Sequence, residues 1–213
     1  MSRRAFHRAG EGERRQELIT ATLDCVAEYG LEGATVRQIA ARAGVTGGLI
    51  RHYFEGKEQM LQAAYEEVMA GMTGAAIAAA ERSEGNARQR LRDFIVANVS
   101  PPVTDGRTLS LWAAFISHVR VDATFARIHR ESYLTFLEAL ERLISDCMTE
   151  IGKTIDPAQS RELAIAINGL IDGLWLEGSL AGDLFEETVL PRIALRSVEA
   201  LLGGLNLSDD QTT

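Results

Sequence analysis

The sequence predicts an all-α protein, and three observations predict it. Hydrophobic residues make up 46% of the 213 positions and charged residues 24%, which is typical of a globular chain. Only four residues are Pro, so the chain contains few helix breakers. Apolar residues recur at three- and four-residue steps along most of the chain, and no convincing alternating strand segment interrupts them. About nine helices are therefore expected.

The N-terminal end predicts a flexible arm followed by a first helix. Residues 1–12 are polar, contain Arg and Gly, and show no periodicity. Such an arm either contacts DNA phosphates or has no role. From about Glu13 to Tyr29 the pattern is that of an amphipathic helix, and Gly30 is suited to end it.

Two short helices with a tight turn are predicted next. Thr35 precedes Val36, and Gln38 lies three residues after Thr35, which is the capping-box spacing. This second helix is expected to run to about Ala43. Gly44 can adopt the left-handed conformation of a tight turn, and Thr46 can cap a third helix over about 47–53.

This pair of helices has the form of a helix-turn-helix, whose second helix presents its N-terminal side chains to the major groove. A helical hairpin without a DNA-binding role has the same spacing. We assign residues 13–57 to a three-helix DNA-binding domain.

A long fourth helix is predicted from Lys57 towards Ala80, and it joins that domain to a larger helical domain over 58–205. A polar tail over 206–213 is expected to be flexible. The further helices are predicted at about 87–99, 108–119, 123–151, 157–181 and 186–202.

Charge is divided unevenly between the two parts. The net charge is −8, but residues 1–57 hold nine Lys and Arg against seven Asp and Glu, a net charge of +2. Residues 58–213 therefore carry −10. The total argues against a polyanionic partner such as double-stranded DNA, but the division of charge means that any contact with phosphates belongs to the N-terminal quarter.

Cysteine and histidine positions argue against a metal site and against catalysis. Cys25 and Cys147 lie far apart in apolar helical stretches, which predicts two reduced core thiols. The four His residues form no ligand spacing with each other or with Cys, and no phosphate-binding Gly-rich loop is present. We expect no metal, no cofactor and no enzymatic activity, although a helical enzyme or a structural protein stays an alternative.

No membrane association is expected. The N-terminal Arg residues are followed by no apolar signal region, and no uninterrupted apolar run is long enough to cross a bilayer. These features predict a cytoplasmic protein.

The residues of the helix-turn-helix carry a specific resemblance. The run from Ala34 to Thr46, with Leu49–Phe54 and Lys57–Leu61, resembles the N-terminal signature of the TetR family of transcription repressors. The resemblance implies phosphate contacts by Thr35, Tyr53 and Lys57. It places the remaining DNA-contacting residues on the two short helices: Arg37, Thr46, Gly47, Gly48, Arg51 and His52. Phe54 is expected in the core, and Tyr53 is expected to be exposed.

The C-terminal part resembles the choline-responsive BetI subgroup of that family, on Leu170–Leu176 and Leu111–Phe115. A quaternary ammonium accepts no hydrogen bond, so its site requires aromatic faces and a carboxylate. These two segments hold both Trp residues of the chain and an acidic residue on an apolar stretch. The candidate effector-binding residues are Trp112, Phe115, Tyr133, Phe136, Asp172 and Trp175. The same aromatic residues are equally compatible with a plain hydrophobic core.

The resemblance also implies a homodimer that pairs the last two helices of each copy, binds a palindromic operator and is released by a small-molecule effector. Small residues such as Gly169 and Gly173 would permit close helix approach. A monomer with these helices in its core, and a regulator that answers to a hydrophobic or polyamine-like effector, are the alternatives.

Overall fold

Nine α-helices account for most of the residues that the structure describes. The computed structural model describes residues 10–184 and 186–207, and no strand occurs within these ranges. The predicted all-α class is therefore confirmed, whereas most of the predicted arm (1–9) and tail (208–213) lies outside the described residues. The helices are α1 Glu11–Gly33, α2 Val36–Arg42, α3 Gly47–Tyr53, α4 Lys57–Arg82, α5 Ala87–Asn98, α6 Gly106–Ile116, α7 Ala123–Glu150, α8 Pro157–Ala181 and α9 Val189–Leu201.

Local capping explains the accuracy of the predicted helix-turn-helix. The Thr35 hydroxyl oxygen accepts the Gln38 N–H at 3.3 Å, and the Gln38 amide oxygen accepts the Thr35 N–H at 3.0 Å. Thr46 caps α3 by accepting the Leu49 N–H at 3.3 Å. Gly44 has a φ of +65°, which is the left-handed conformation required by the turn.

Three predicted boundaries are wrong for identifiable reasons. Helix α1 begins at Glu11, inside the predicted arm, because the Glu13 carboxylate accepts the Gly10 N–H at 2.9 Å. Helix α6 begins two residues early because Asp105 accepts the Arg107 N–H at 2.7 Å. Helix α9 begins at Val189 because residues 186–188 form a loop and a turn.

One connected core joins the two parts of the molecule. Helix α1 packs against α2, α4 and α6, while α4 continues past the helix-turn-helix to pack against α5 and α7. Helix α8 lies against α6, α7 and α9. Helix α4 is thus the element that runs from the helix-turn-helix into the larger domain, with buried side chains along its length.

Helices α8 and α9 leave an apolar face uncovered. Of the large hydrophobic side chains that are exposed, most lie in this region: Ile165, Leu176, Leu180, Leu184, Ile193 and Leu201. Within the described residues, α8 is the one helix that is long and apolar enough to cross a membrane by length and composition alone. Polar residues, among them Asn168, Asp172 and Glu177, interrupt α8, so this helix contains no uninterrupted apolar run of that length.

Candidate functional site

The N-terminal end of α3 is fully accessible. Thr46, Gly47 and Gly48 are exposed, and so are Arg51 and His52 one turn later. No ion pair engages Arg51 within the described part of the chain, whereas the buried Ile50 anchors the helix from its other face. The helix therefore presents a cation and backbone N–H groups to solvent. A helix that enters the major groove of DNA requires such accessible groups.

The other residues predicted to contact DNA lie on the neighbouring helices and at the end of α3. Thr35 and Arg37 are exposed at the start of α2. Lys57 lies at the start of α4, where its Nζ donates to the Glu32 carbonyl oxygen at 3.1 Å. Phe54 is buried as expected, but Tyr53 is only half exposed, because its ring packs against the core and meets the His52 ring edge to face at 5.0 Å.

Arg42 differs from these cations, because it belongs to a chain of ion pairs. Its guanidinium pairs with Glu28 and lies 3.9 Å from Asp24. Asp24 also accepts a hydrogen bond from Arg107, at the start of α6. We call Arg107, Asp24, Arg42 and Glu28 the interdomain ion-pair chain, because it connects α6 through α1 to α2.

The two Trp residues form the centre of the predicted effector site. Trp112 on α6 and Trp175 on α8 meet edge to face, with ring centroids 5.6 Å apart. Trp175 Nε1 also donates to the main-chain oxygen of Asn98 at 2.6 Å. Both side chains are more than nine-tenths buried, so their shared contact is closed to solvent.

The other predicted aromatics fall into separate clusters. Phe115 packs with Tyr65, ring centroids 5.2 Å apart, and Phe136 packs with Phe94 at 5.1 Å. Tyr133 stacks on His129 at 6.4 Å. The ring contacts of the described residues therefore join Trp112 to Trp175, but join neither of them to Phe115, Tyr133 or Phe136.

Asp172 lies one turn before Trp175 and is half buried. Its carboxylate accepts a hydrogen bond from Asn168 Nδ2 at 3.0 Å within the same helix. Burial raises its pKa to about 6, against which the Asn168 hydrogen bond acts more weakly. A carboxylate so placed is stabilised by any cation that binds beside it.

Two cavities are relevant to a small-molecule ligand. A cavity of about 420 Å³ lies between α1, α4 and α6, with mostly apolar walls that include Val68, Met72 and Leu111. A smaller one of about 210 Å³ is lined by Val99 and Gly178 and bordered by Glu186 and Glu187. Neither is lined by the six predicted residues, although the smaller one begins one turn beyond Trp175.

The sequence prediction missed Asn98. This residue ends α5 on an apolar stripe with Leu91, Phe94 and Ile95, and its side chain is 1% exposed. Asp172 was selected because it is a polar residue on an apolar helical stripe. The same pattern could have identified Asn98 as a residue that needs a hydrogen-bond partner when it is buried.

The possible metal ligands and the two cysteines were the remaining candidates for reactive chemistry. Within the described residues, no cluster of three or more His, Cys, Asp and Glu side chains could hold a metal ion. Cys25 and Cys147 are both buried and unpaired, and burial raises the pKa of each thiol. The pKa of Cys147 rises to about 12, which keeps this thiol protonated and unreactive.

Two protein families match the chain in consecutive segments. The family described as bacterial regulatory proteins of the tetR family matches residues 18–64. The C-terminal domain of BetI-type transcriptional repressors matches residues 87–203. The two matches correspond to the helix-turn-helix region and to the helices from α5 to α9.

Relatives and solved structures agree with these matches. The HTH-type transcriptional regulator BetI of Burkholderia thailandensis is 32% identical over 189 residues, which cover 89% of this chain and 93% of the relative. A transcriptional regulator from Pseudomonas aeruginosa is 32% identical with a TM-score of 0.83, covering 94% of this chain and 95% of its own.

A regulator from Saccharomonospora viridis, solved in complex with choline, shares the fold at a TM-score of 0.75 and 17% identity, covering 89% of this chain and 97% of its own. The chain therefore belongs to the TetR family of bacterial transcriptional regulators, with a C-terminal domain of the BetI type, and it is not an enzyme.

Proposed function

We propose that the protein is a dimeric repressor that binds a palindromic operator and is released by choline or a related quaternary amine. The observation that carries the DNA-binding part is the accessible, Thr46-capped end of α3, where Arg51 has no competing ion pair among the described residues. An Arg at this position can pair bidentately with guanine, while Thr35, Tyr53 and Lys57 fix the register on phosphates.

The second copy in this proposal covers the apolar face of α8 and α9. Large side chains such as Leu180, which is 77% exposed, would otherwise stay in water. The same burial accounts for an apolar α8 without a membrane. A two-fold dimer of this kind would place two recognition helices on successive major grooves of one DNA face.

The effector assignment rests on the Trp112–Trp175 pair with Asp172 one turn away. Indole faces attract a quaternary ammonium through their quadrupole, and a carboxylate neutralises its charge. The choline complex of the Saccharomonospora viridis regulator supports this chemistry in a protein of the same fold. The proposed site is therefore limited to Trp112, Trp175 and Asp172, because Phe115, Tyr133 and Phe136 lie in separate ring clusters.

The regulation is a shift between two states of the dimer. Effector bound beside α8 would favour an arrangement in which α4 is tilted and the two recognition helices no longer match the operator. The effector must bind this arrangement more tightly than the DNA-binding one, because a ligand with equal affinity for both shifts nothing.

A second effector class has a specific observation in its favour. The cavity of about 420 Å³ between α1, α4 and α6 has mostly apolar walls, which favours a hydrophobic ligand over a cation. Thermal shift of the purified protein with choline, betaine aldehyde, polyamines and aromatic compounds separates the classes. Stabilisation by quaternary amines alone supports the Trp site, and stabilisation by apolar compounds alone contradicts it.

DNA binding itself is tested with fragments of the protein's own promoter region. Fluorescence anisotropy should show tight, salt-dependent binding to one fragment and much weaker binding to a shuffled sequence of equal length. Choline should lower the affinity for the operator. Equal affinity for both fragments would contradict the proposed function.

A further inference from the structure

The cavity of about 420 Å³ lies between the helix-turn-helix domain and the larger helical domain. Its apolar walls come from Leu23 on α1, Val68 and Met72 on α4, Leu111 on α6, and Val103 in the loop before α6. The last four of these side chains are buried, and the volume is that of a small-molecule site. None of the six candidate effector residues lines this cavity, so it is separate from the Trp pair.

The charged residues that line this cavity are exposed at its rim, and each is already engaged. Glu67 accepts a hydrogen bond from Gln16 Nε2 at 3.1 Å. Asp105 accepts the Arg107 N–H at 2.7 Å, and the Arg107 guanidinium pairs with Asp24. A charged group of a ligand would leave water for apolar walls, which is unfavourable without a counter-charge. The cavity therefore favours an uncharged ligand.

Apart from these three charged residues, Thr108 is the polar side chain that lines the cavity. It is half-buried on α6, and no hydrogen bond engages its hydroxyl group within the part of the chain that the structure describes. A hydroxyl group can donate and accept, so it can pair with either kind of polar group on a ligand. One such group among apolar walls is the arrangement that orients a small molecule.

Gly71 keeps the cavity open on its α4 side. It is exposed, it lines the cavity, and a Cβ built on it would meet no atom within 4 Å. Gly is less favourable than Ala in the interior of a helix, and Gly71 lies in the middle of α4. A larger side chain here would fit the backbone but would occupy the space of the cavity.

We propose that this interdomain cavity binds a small uncharged apolar molecule with one hydrogen-bonding group, at the same time as the effector binds the Trp pair. The Thr108 hydroxyl group would pair with the polar group of that molecule. This inference extends the second effector class proposed above, because the apolar ligand becomes an addition to the quaternary amine and not a replacement for it. Since Leu23 precedes Asp24 on α1, the ligand would lie beside the interdomain ion-pair chain.

The probe for this site is 2-naphthol, a rigid apolar compound that carries one hydroxyl group and is uncharged at pH 7. Its fluorescence, titrated with the full-length protein, should show saturable binding. Saturating choline should leave that affinity within about threefold, because the two sites share no lining residue. The anion 2-naphthoate should bind at least about tenfold more weakly.

Two variants test the cavity itself. In Gly71→Leu the affinity for 2-naphthol should fall at least about tenfold, because the new side chain fills the site. In Thr108→Val it should fall about threefold to tenfold, because one hydrogen bond is lost. The matched control is Gly74→Leu on the same helix, where a Cβ also meets no atom within 4 Å but borders a separate groove against α7. It should keep the wild-type affinity.

The outcomes separate this site from the proposed effector site. Displacement of 2-naphthol by choline, or choline binding without any binding of 2-naphthol, overturns the inference and leaves the effector in place. Equal losses in Gly71→Leu and Gly74→Leu overturn it as well. If thermal unfolding shows that Gly71→Leu does not fold, an unchanged affinity in Thr108→Val is decisive against the site. Binding of 2-naphthol without binding of choline supports the cavity and contradicts the quaternary-amine effector.

Discussion

Asp172 is a carboxylic acid whose ionisation and whose proposed ligand affect each other. With a pKa of about 6 it is largely protonated at pH 5 and ionised at pH 7. The raised pKa means that the folded state binds more protons than the unfolded state between about pH 4 and 6, so Asp172 lowers stability as pH rises through this range. A bound cation reverses this effect by favouring the ionised form.

Choline affinity should therefore increase with pH. We expect binding to strengthen roughly tenfold between pH 5 and pH 7, following the ionised fraction of one acid with a pKa near 6. Asp172→Asn should weaken binding at pH 7 and flatten the profile, as measured by isothermal titration. His129, whose pKa is lowered by burial, stays unchanged in this variant. An equally steep profile in Asp172→Asn would assign the effect to another group.

Arg51 and Lys57 should differ in what their loss does to DNA binding. Arg51→Ala is expected to cost about 1–3 kcal/mol on the operator and to relax the preference for one base pair. Lys57→Ala should weaken binding to all sequences and reduce the slope of log affinity against log salt by about 1. Anisotropy titrations at several salt concentrations measure both. A sequence-specific defect in Lys57→Ala would show that the roles are assigned wrongly.

Among elements, α3 begins with two glycines that weaken it as a helix. A Cβ at Gly47 would meet no atom within 4 Å, and the residue is exposed. Gly47→Ala should therefore raise the free energy of unfolding by about 0.5 kcal/mol, because Ala favours the helix. We expect the same change to weaken operator binding, because the proposed role of the glycine is close approach to DNA. Thermal unfolding and fluorescence anisotropy, measured on one preparation, test whether stability rises while operator affinity falls. Tighter operator binding would refute the proposed role of the glycine.

A charge placed on the exposed face of α8 should prevent the second copy of the chain from binding there. In Leu176→Glu two like charges would be buried near the two-fold axis, raising the dissociation constant of the dimer roughly 100-fold or more. Val121→Glu is the matched control, since Val121 is 81% exposed but lies far along the chain, between α6 and α7. Analytical ultracentrifugation distinguishes the two. A dimeric Leu176→Glu variant would place the interface elsewhere.

The elements also show which parts of the fold can be predicted from sequence. The starts of α2 and α3 follow from Thr35, Gln38 and Thr46. Their capping hydrogen bonds join residues that are three positions apart, so the sequence alone predicts them. The aromatic clusters could not be predicted in this way. Phe94 and Phe136 lie on different helices, and only the packing of α5 against α7 brings them together.

At the scale of the whole molecule, the interdomain ion-pair chain joins the larger helical domain to the helix-turn-helix. Arg107 and Asp24 are 83 residues apart in sequence, and their pairing depends on α6 lying against α1. Half-exposed ion pairs add little to stability, so their expected contribution is to the coupling between domains. A movement of α6 would then change the forces on α1 and α2.

Asp24→Asn should weaken the coupling between effector binding and operator binding without abolishing either one. We expect operator affinity without effector and choline affinity without DNA to stay within about threefold of wild type, while the effect of choline on operator binding falls by about fivefold or more. Glu17→Gln, which removes an exposed ion pair with Arg14 inside α1, is the control. Unchanged release of DNA by choline in Asp24→Asn would exclude the chain from the coupling.

The length of α4 determines how small a movement is enough for regulation. Its 26 residues form a rod about 39 Å long at 1.5 Å per residue. If its far end is the pivot, a tilt of about 5° moves Lys57 by about 3 Å, and two symmetric copies change the separation of their recognition helices by about 7 Å. That is a fifth of the roughly 34 Å between successive major grooves on one DNA face. In the proposed dimer, a small rotation of this long helix would therefore be enough to misalign the two recognition helices with the operator.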